Sequence, residues 1–214
     1  AIREILAYFG EEVERRRTER ADDLISFLLD AEMDGGPLTE KHILGTCFLL
    51  LMAGIDTTWS SIGASLWHLA VTPEDRDRLV ADPALLSTAV EEFLRAYAPV
   101  TMAREVVAET EVNGCPMHVG DRVLLNFPSG NRDPEKFDRP DEVVIDRERN
   151  RHFAFGLGIH RCVGSNLARM EMQVAIRTWL EHFPDFTLRD DVEVRWGGAQ
   201  VRGPREVPVI LDPA

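Results

Sequence analysis

Cysteine is scarce in this chain: three among 214 residues, Cys47, Cys115 and Cys162, far apart and odd in number. Such spacing argues against a disulfide framework and against a cysteine-based zinc cluster. It suits a reducing compartment, so a cytoplasmic location is expected. Positive charge is also in deficit. Lys and Arg number 24 against 37 Asp and Glu, for a net charge of −13. That balance disfavours a nucleic-acid-binding surface and attraction to anionic lipid. It leaves room for a local basic patch, and Arg147 to Arg161 is one. Long apolar runs are missing, and the longest, Cys47 to Ala53, is too short to span a bilayer. No signal-peptide pattern and no internal repeat are visible. The first residue is Ala1 rather than Met and opens inside a helical pattern, so a fragment is expected.

What is present is an ordinary globular composition, 44% hydrophobic and 29% charged, enough for one sizeable core. Ile2 to Arg20 reads as a helix with a charged outer face, and Asp22 to Met33 as a second one broken by Asp34-Gly35-Gly36-Pro37. Thr39 is a good N-cap for a long helix to about Val71, roughly 45 Å at 1.5 Å per residue. Ile43 through Met52 is apolar nearly all round, which predicts burial. Ala53-Gly54-Ile55-Asp56-Thr57-Thr58 then breaks the local rules of a buried helix and marks either a packing notch or a functional site.

Thr72-Pro73 opens a short helix. The next, Ala84 to Tyr97, carries Glu92 and Arg95 on one face at i, i+3. Ala103 to Phe127 reads as strands, with Asn113-Gly114 as a hairpin turn. An irregular stretch runs to about Asn150, too long for a simple connector. Ser165 to His182 is a helix whose inner face is expected at Leu167, Met170 and Val174, and Phe186 to Leu211 gives short strands.

One stretch organises the rest: Phe155-Gly156-Leu157-Gly158-Ile159-His160-Arg161-Cys162-Val163-Gly164. Its single cysteine lies just before a helix, where backbone N–H groups and the helix dipole favour a thiolate. The glycines allow something flat and bulky to approach the backbone. From the residues alone, metal ligand and nucleophile both stay open.

Taken together these segments resemble the cytochrome P450 family, the haem-thiolate monooxygenases, in their soluble bacterial form. The cysteine stretch resembles the F-G-x-G-x-H-x-C-x-G haem-ligand signature. Ala53-Gly54-Ile55-Asp56-Thr57 resembles the oxygen-activating A-G-x-D-T helix, and Glu92 to Arg95 the E-x-x-R helix. Asn131-Arg132-Asp133-Pro134, Phe137 and Pro140-Asp141 resemble the meander between them and the cysteine. The resemblance covers the whole chain but about half of the family's fold. It implies a mainly α protein with small β-sheets (α+β), the C-terminal portion of the cytochrome P450 fold, with residues 1–214 one partial domain and the N-terminal half absent.

The resemblance further implies haem b (iron protoporphyrin IX), with Cys162 as the iron's thiolate ligand. Phe155 would pack beside the sulfur, and Gly156 and Gly158 would lie against the porphyrin. Gly164 would permit close packing where the helix starts. His160 and Arg104 would bond the propionates. Asp56 and Thr57 would relay protons to bound dioxygen, with Ala53 and Gly54 leaving space for it. Glu92, Arg95 and Arg147, or Arg149 in its place, would form a buried network that holds the meander. Leu51, Met52, Val100, Thr101, Met102 and Ala199 to Val201 are candidate substrate contacts, and plain core packing accounts for each equally well.

The implied reaction inserts one atom of O₂ into a small or medium organic molecule. No flavin, nucleotide or iron–sulfur motif is present. Electrons would therefore come from a ferredoxin or flavodoxin with an NAD(P)H-dependent reductase, docking on Arg147, Arg149, Arg151 and Arg161. Two alternatives stay open: a haem-thiolate protein that senses or carries a gas, and an inactive truncated product.

Overall fold

The computed structural model describes residues 1–211. Its contacts divide the chain into two compact units, Ala1–Ile55 and Asp56–Ala214, with the division inside one helix.

In the first unit, α1 (Ile2–Thr18) and α2 (Leu24–Asp30) pack together. The N-cap Asp23 accepts the Ser26 backbone N–H at 2.8 Å, which sets where α2 begins. A two-residue hairpin, β1 (Glu32–Met33) with β2 (Gly36–Pro37), turns through Asp34 and Gly35, both at positive φ. Val13, Ile43 and Cys47 form a small core with Phe9, Ile25, Leu28 and Leu29 against it.

Helix α3 (Glu40–Val71) is one continuous helix of 32 residues. The expected burial of its middle is overturned. Ile43 and Cys47 are buried, but every residue from Leu49 to Asp56 is exposed. Hydropathy states what a surface would bury, not what is there to cover it, and among the described residues nothing covers this stretch. By length and composition α3 also passes for a membrane span, as the core helix of a soluble protein does. Its second half carries Asp56, Thr57, Thr58, Ser60, Ser61, Ser65 and His68.

The second unit holds the main core. Helix α4 (Pro73–Ala81) starts on proline, and a 3₁₀ turn at Pro83–Leu85 leads into α5 (Leu86–Ala96). Small antiparallel pairs follow: β3 (Met102–Glu105) with β6 (Arg122–Leu125), and between them β4 (Thr110–Val112) with β5 (Cys115–Met117). Asn113 and Gly114, both at positive φ, make the turn of the inner hairpin.

After the short α6 (Phe127–Gly130) comes the irregular stretch, then α7 (Ser165–His182). β7 (Phe186–Leu188) pairs with β10 (Val209–Leu211), and β8 (Trp196–Gly197) with β9 (Gly203–Pro204). The core joins Leu69 of α3, Phe93 of α5, Ile145, Met172 and Ile176 of α7, and Phe186. Helix α7 therefore turns Met172, Ile176 and Leu180 inward, while Leu167, Met170 and Val174 are exposed, contrary to the expected inner face. The helix carries two apolar stripes, and the stripe that meets α5 is the buried one.

The candidate thiolate site

The cysteine loop is held open by its glycines. Gly156 and Gly158 both adopt φ +67°, where an L side chain is strained. A Cβ on Gly156 would touch the Phe127 ring at 3.7 Å, whereas Gly158 faces open space. Three backbone bonds close the loop: Gly156 N–H to Phe153 O at 2.8 Å, Arg161 N–H to Gly158 O at 3.1 Å, and Cys162 N–H to Phe155 O at 2.9 Å. Cys162 is a free thiol, exposed, three residues before α7 begins. A Cβ on Gly164 would sit 3.9 Å from its Sγ.

Phe155 is clamped from behind. The Arg169 guanidinium lies 4.5 Å over its ring, and the His152 ring is 6.1 Å away. Glu91 ties both together, accepting Arg169 Nε at 2.5 Å, Arg169 Nη2 at 3.0 Å and His152 Nε2 at 3.0 Å. Burial alone would raise the Glu91 carboxyl, but the hydrogen bonds from His152 and Arg169 outweigh it and hold the pKa at about 2. His152 Nδ1 accepts the Ala154 backbone N–H at 3.2 Å, so Nε2 carries the ring proton given to Glu91. Glu91, His152 and Arg169 were not singled out from sequence. They lie 61 and 78 residues apart, and only a charged pair on facing helix surfaces could have hinted at them.

One residue along, Glu92 and Arg95 are completely buried. Arg95 grips Glu92 with Nε and Nη2, both at 2.8 Å, and donates to the carbonyls of Asn131, Pro140 and Glu142. Glu92 also accepts Arg147 Nε at 3.0 Å, Val144 N–H at 2.8 Å and Asn150 Nδ2 at 3.0 Å. Desolvation raises the Glu92 carboxyl, and these donors more than reverse it, so its pKa is lowered. Arg147 makes this contact; Arg149 is exposed. With its other nitrogens on Asp138 O and Arg139 O, Arg147 is spent, which removes it from the expected docking face. Arg149, Arg151 and Arg161 remain exposed. Asn131, fully buried, donates Nδ2 to Arg95 O at 3.2 Å and accepts Phe153 N–H on Oδ1 at 2.7 Å. It thereby joins α5 to the residues just before the cysteine loop.

The other expected residues are dispersed. Arg104 lies on β3 and donates to Ala103 O at 2.9 Å, while His160 is exposed in a 3₁₀ turn. Val100 bridges Val201, and Thr101 reaches the C-terminal hairpin through N–H to Gln200 O and Oγ1 to Ala199 O, both at 3.1 Å. Those candidate contacts thus come together, next to Met102. Asp56 is exposed and Thr57 half-buried on α3; Ser61 Oγ donates to Thr57 O at 2.9 Å. Ala53, Gly54, Leu51 and Met52, in the other unit, are exposed on the same helix.

The residues present fit a haem. Around the uncovered thiol, Leu157, Ile159 and Val163 are 65, 97 and 88% exposed on a loop pinned by hydrogen bonds. Such a surface suits a flat apolar group approaching the sulfur. Among the described residues no cluster of three or more His, Cys, Asp or Glu could hold a metal ion. One thiolate alone suits an iron already held by a macrocycle.

Comparison with known proteins agrees. The sequence model described as Cytochrome P450 matches residues 2–195. The Bacillus subtilis polyketide biosynthesis cytochrome P450 PksS is 37% identical over 216 residues, covering 99% of this chain and 53% of that protein. The steroid C26-monooxygenase of Mycolicibacterium smegmatis is 37% identical, covering 94% of this chain and 51% of its own length. Among solved structures, CYP109E1 from Bacillus megaterium in complex with testosterone superposes with a TM-score of 0.93 at 33% identity, covering 98% of this chain and 59% of that one. The chain spans about half the length of the curated relatives it matches. With this loop, these glutamate networks and these relatives, the chain belongs to the cytochrome P450 family, which implies haem iron as cofactor.

Proposed function

We propose that this chain supplies the thiolate side and the oxygen-activating helix of a haem b-dependent monooxygenase, as a single partial domain over residues 1–214. The observation that carries the reading is the exposed Cys162 thiol in a loop whose glycines hold positive φ and whose apolar side chains stand uncovered. Bound there, the haem would supply oxygen activation, with thiolate donation favouring O–O cleavage.

The chain's own residues would do the rest. Cys162 would hold the iron, and Phe155 would keep water from the sulfur. Gly156 and Gly158 would admit the macrocycle to the backbone. His160 and Arg104 would bind its propionates. Ala53 and Gly54 would leave room beside α3. The Thr57 hydroxyl would orient a proton donor at the distal side, and the Asp56 carboxylate would pass protons inward from solvent. Glu92, Arg95 and Arg147 would hold the meander. In the second unit, Val100, Thr101, Met102 and Ala199 would offer apolar contacts to a small or medium organic molecule, and Leu51 and Met52 would be substrate contacts on the first unit's part of α3. Relatives named for a steroid and for polyketide biosynthesis support that breadth. Electrons would come from a ferredoxin or flavodoxin with an NAD(P)H-dependent reductase, in the cytoplasm, without nucleic acid or membrane. Arg149, Arg151 and Arg161 would steer an acidic donor.

The test is an absorption spectrum of the haem-reconstituted, reduced protein under carbon monoxide. The expected result is the red-shifted Soret band of a thiolate-ligated haem, lost in Cys162→Ala. Persistence of the shift in that variant would overturn the ligand. Absence of any Soret band in the unmutated chain would favour an inactive partial protein, a reading that the uncovered stretch Leu49 to Asp56 also supports.

A further inference from the structure

Away from the cysteine loop, the second unit buries a polar relay that the proposed reaction does not use. His68, near the end of α3, is 5% exposed. Its Nε2 lies 2.8 Å from Asp75 Oδ2, in the first turn of α4, and its Nδ1 lies 2.8 Å from the hydroxyl of Tyr97, which follows α5. An ionised carboxylate can only accept, so in the neutral imidazole Nε2 carries the ring proton and Nδ1 is left bare. The Tyr97 hydroxyl must then be the donor to Nδ1. A phenol aimed at an imidazole base backed by a carboxylate is a proton-transfer pair already aligned.

The phenol also sits among the side chains most easily oxidised by one electron. Its ring centroid is 5.8 Å from that of Trp67 and 6.1 Å from that of Trp196, and the two indoles are 5.2 Å apart. Arg202 covers Trp196 at 4.9 Å. Burial pushes the Tyr97 pKa up to about 12, so at neutral pH the phenol keeps its proton and an electron can leave cheaply only if the proton leaves with it.

We propose that Tyr97 is a redox-active tyrosine that takes up stray oxidising equivalents. One electron passes from Tyr97 to a strong one-electron oxidant. The phenolic proton passes in the same step to His68 Nδ1. The products are a neutral tyrosyl radical, an imidazolium facing the Asp75 carboxylate, and the oxidant reduced by one electron. Trp67 and Trp196 exchange the hole with Tyr97 through ring contact. A one-electron reductant such as a thiol refills the radical as the proton returns from His68. The oxidant class is the peroxide-derived species that oxygen chemistry at a haem releases when no product forms. Only this source rests on the monooxygenase reading.

The chain has two tyrosines, which makes the test clean. The other, Tyr8, is exposed. The full chain is oxidised with a photogenerated ruthenium(III) polypyridyl complex, with no haem needed, and frozen for electron paramagnetic resonance. The expected result is a tyrosyl signal that persists in Tyr8→Phe and vanishes in Tyr97→Phe. In His68→Gln its yield should fall about a hundredfold, as when a positioned general base is removed. If His68→Gln does not fold, electron–nuclear double resonance on Tyr8→Phe decides: the Tyr97 radical should show one exchangeable proton coupling from the His68 N–H. A signal that follows Tyr8, a yield unchanged in folded His68→Gln, or a radical without that coupling would each overturn the proposal. None of these outcomes depends on whether the chain is a monooxygenase.

Discussion

At the scale of single residues, Gly203 is held against backbone that cannot move. A Cβ built there would fall 2.5 Å from Ser60 Cβ and 3.0 Å from Ser60 Cα, so β9 reaches α3 only because this residue has no side chain. The neighbouring contact is tight but looser, since a Cβ on Gly63 would meet Pro204 Cγ at 3.2 Å. Backbone cannot step aside as a flexible side chain can. Gly203→Ala should therefore destabilise the protein by about 1–3 kcal/mol, the usual cost of overpacking. Thermal unfolding checks this, with the exposed Gly198→Ala as the control, where open space predicts little change. Equal melting temperatures for the two variants would contradict it.

At the scale of elements, adjacent residues on α5 face different partners. Glu92 holds the meander and Glu91 holds α7 and the cysteine loop. The Glu91 carboxyl is lowered from 4.5 to about 2 in the folded protein. Its contribution is therefore complete above the unfolded value and is lost as pH falls from about 4.5 through about 2. Acid titration of stability should show this slope, and Glu91→Gln should flatten it; an unchanged acid limb would refute the clamp. Removing one partner of the buried pair, as in Glu92→Gln, should cost about 3–5 kcal/mol in denaturant unfolding.

What the sequence made legible at this scale was local. Asn113-Gly114, the Thr39 helix start, the Pro73 helix start and the Glu92–Arg95 spacing all act within a few residues. What it hid was the choice among surfaces. Helix α7 has two apolar stripes about 140° apart, five residues at 100° each, and periodicity ranks neither. The partners of Glu91 lie far along the chain, where no local pattern reaches.

At the scale of the whole molecule, apolar surface is left uncovered in each unit. Leu49 and Met52 in the first, and Trp59, Ile159 and Val163 in the second, are 65, 52, 69, 97 and 88% exposed. Patches of this kind mark sites that something else covers. The chain alone should self-associate as its concentration rises, read by sedimentation velocity, and Leu49→Lys with Met52→Glu should weaken that association. A monomer at every concentration would contradict it. The meander carries a different consequence. Beside the side-chain contacts of Asn131, Asn150 and Phe137, Arg95 and Arg147 hold it by the carbonyls of Asn131, Pro140, Glu142, Asp138 and Arg139. Every residue type offers the same carbonyl. Most of those positions can thus change identity freely, whereas inserting or deleting a single residue would shift every carbonyl past its guanidinium, so this stretch should drift in spelling while keeping its length.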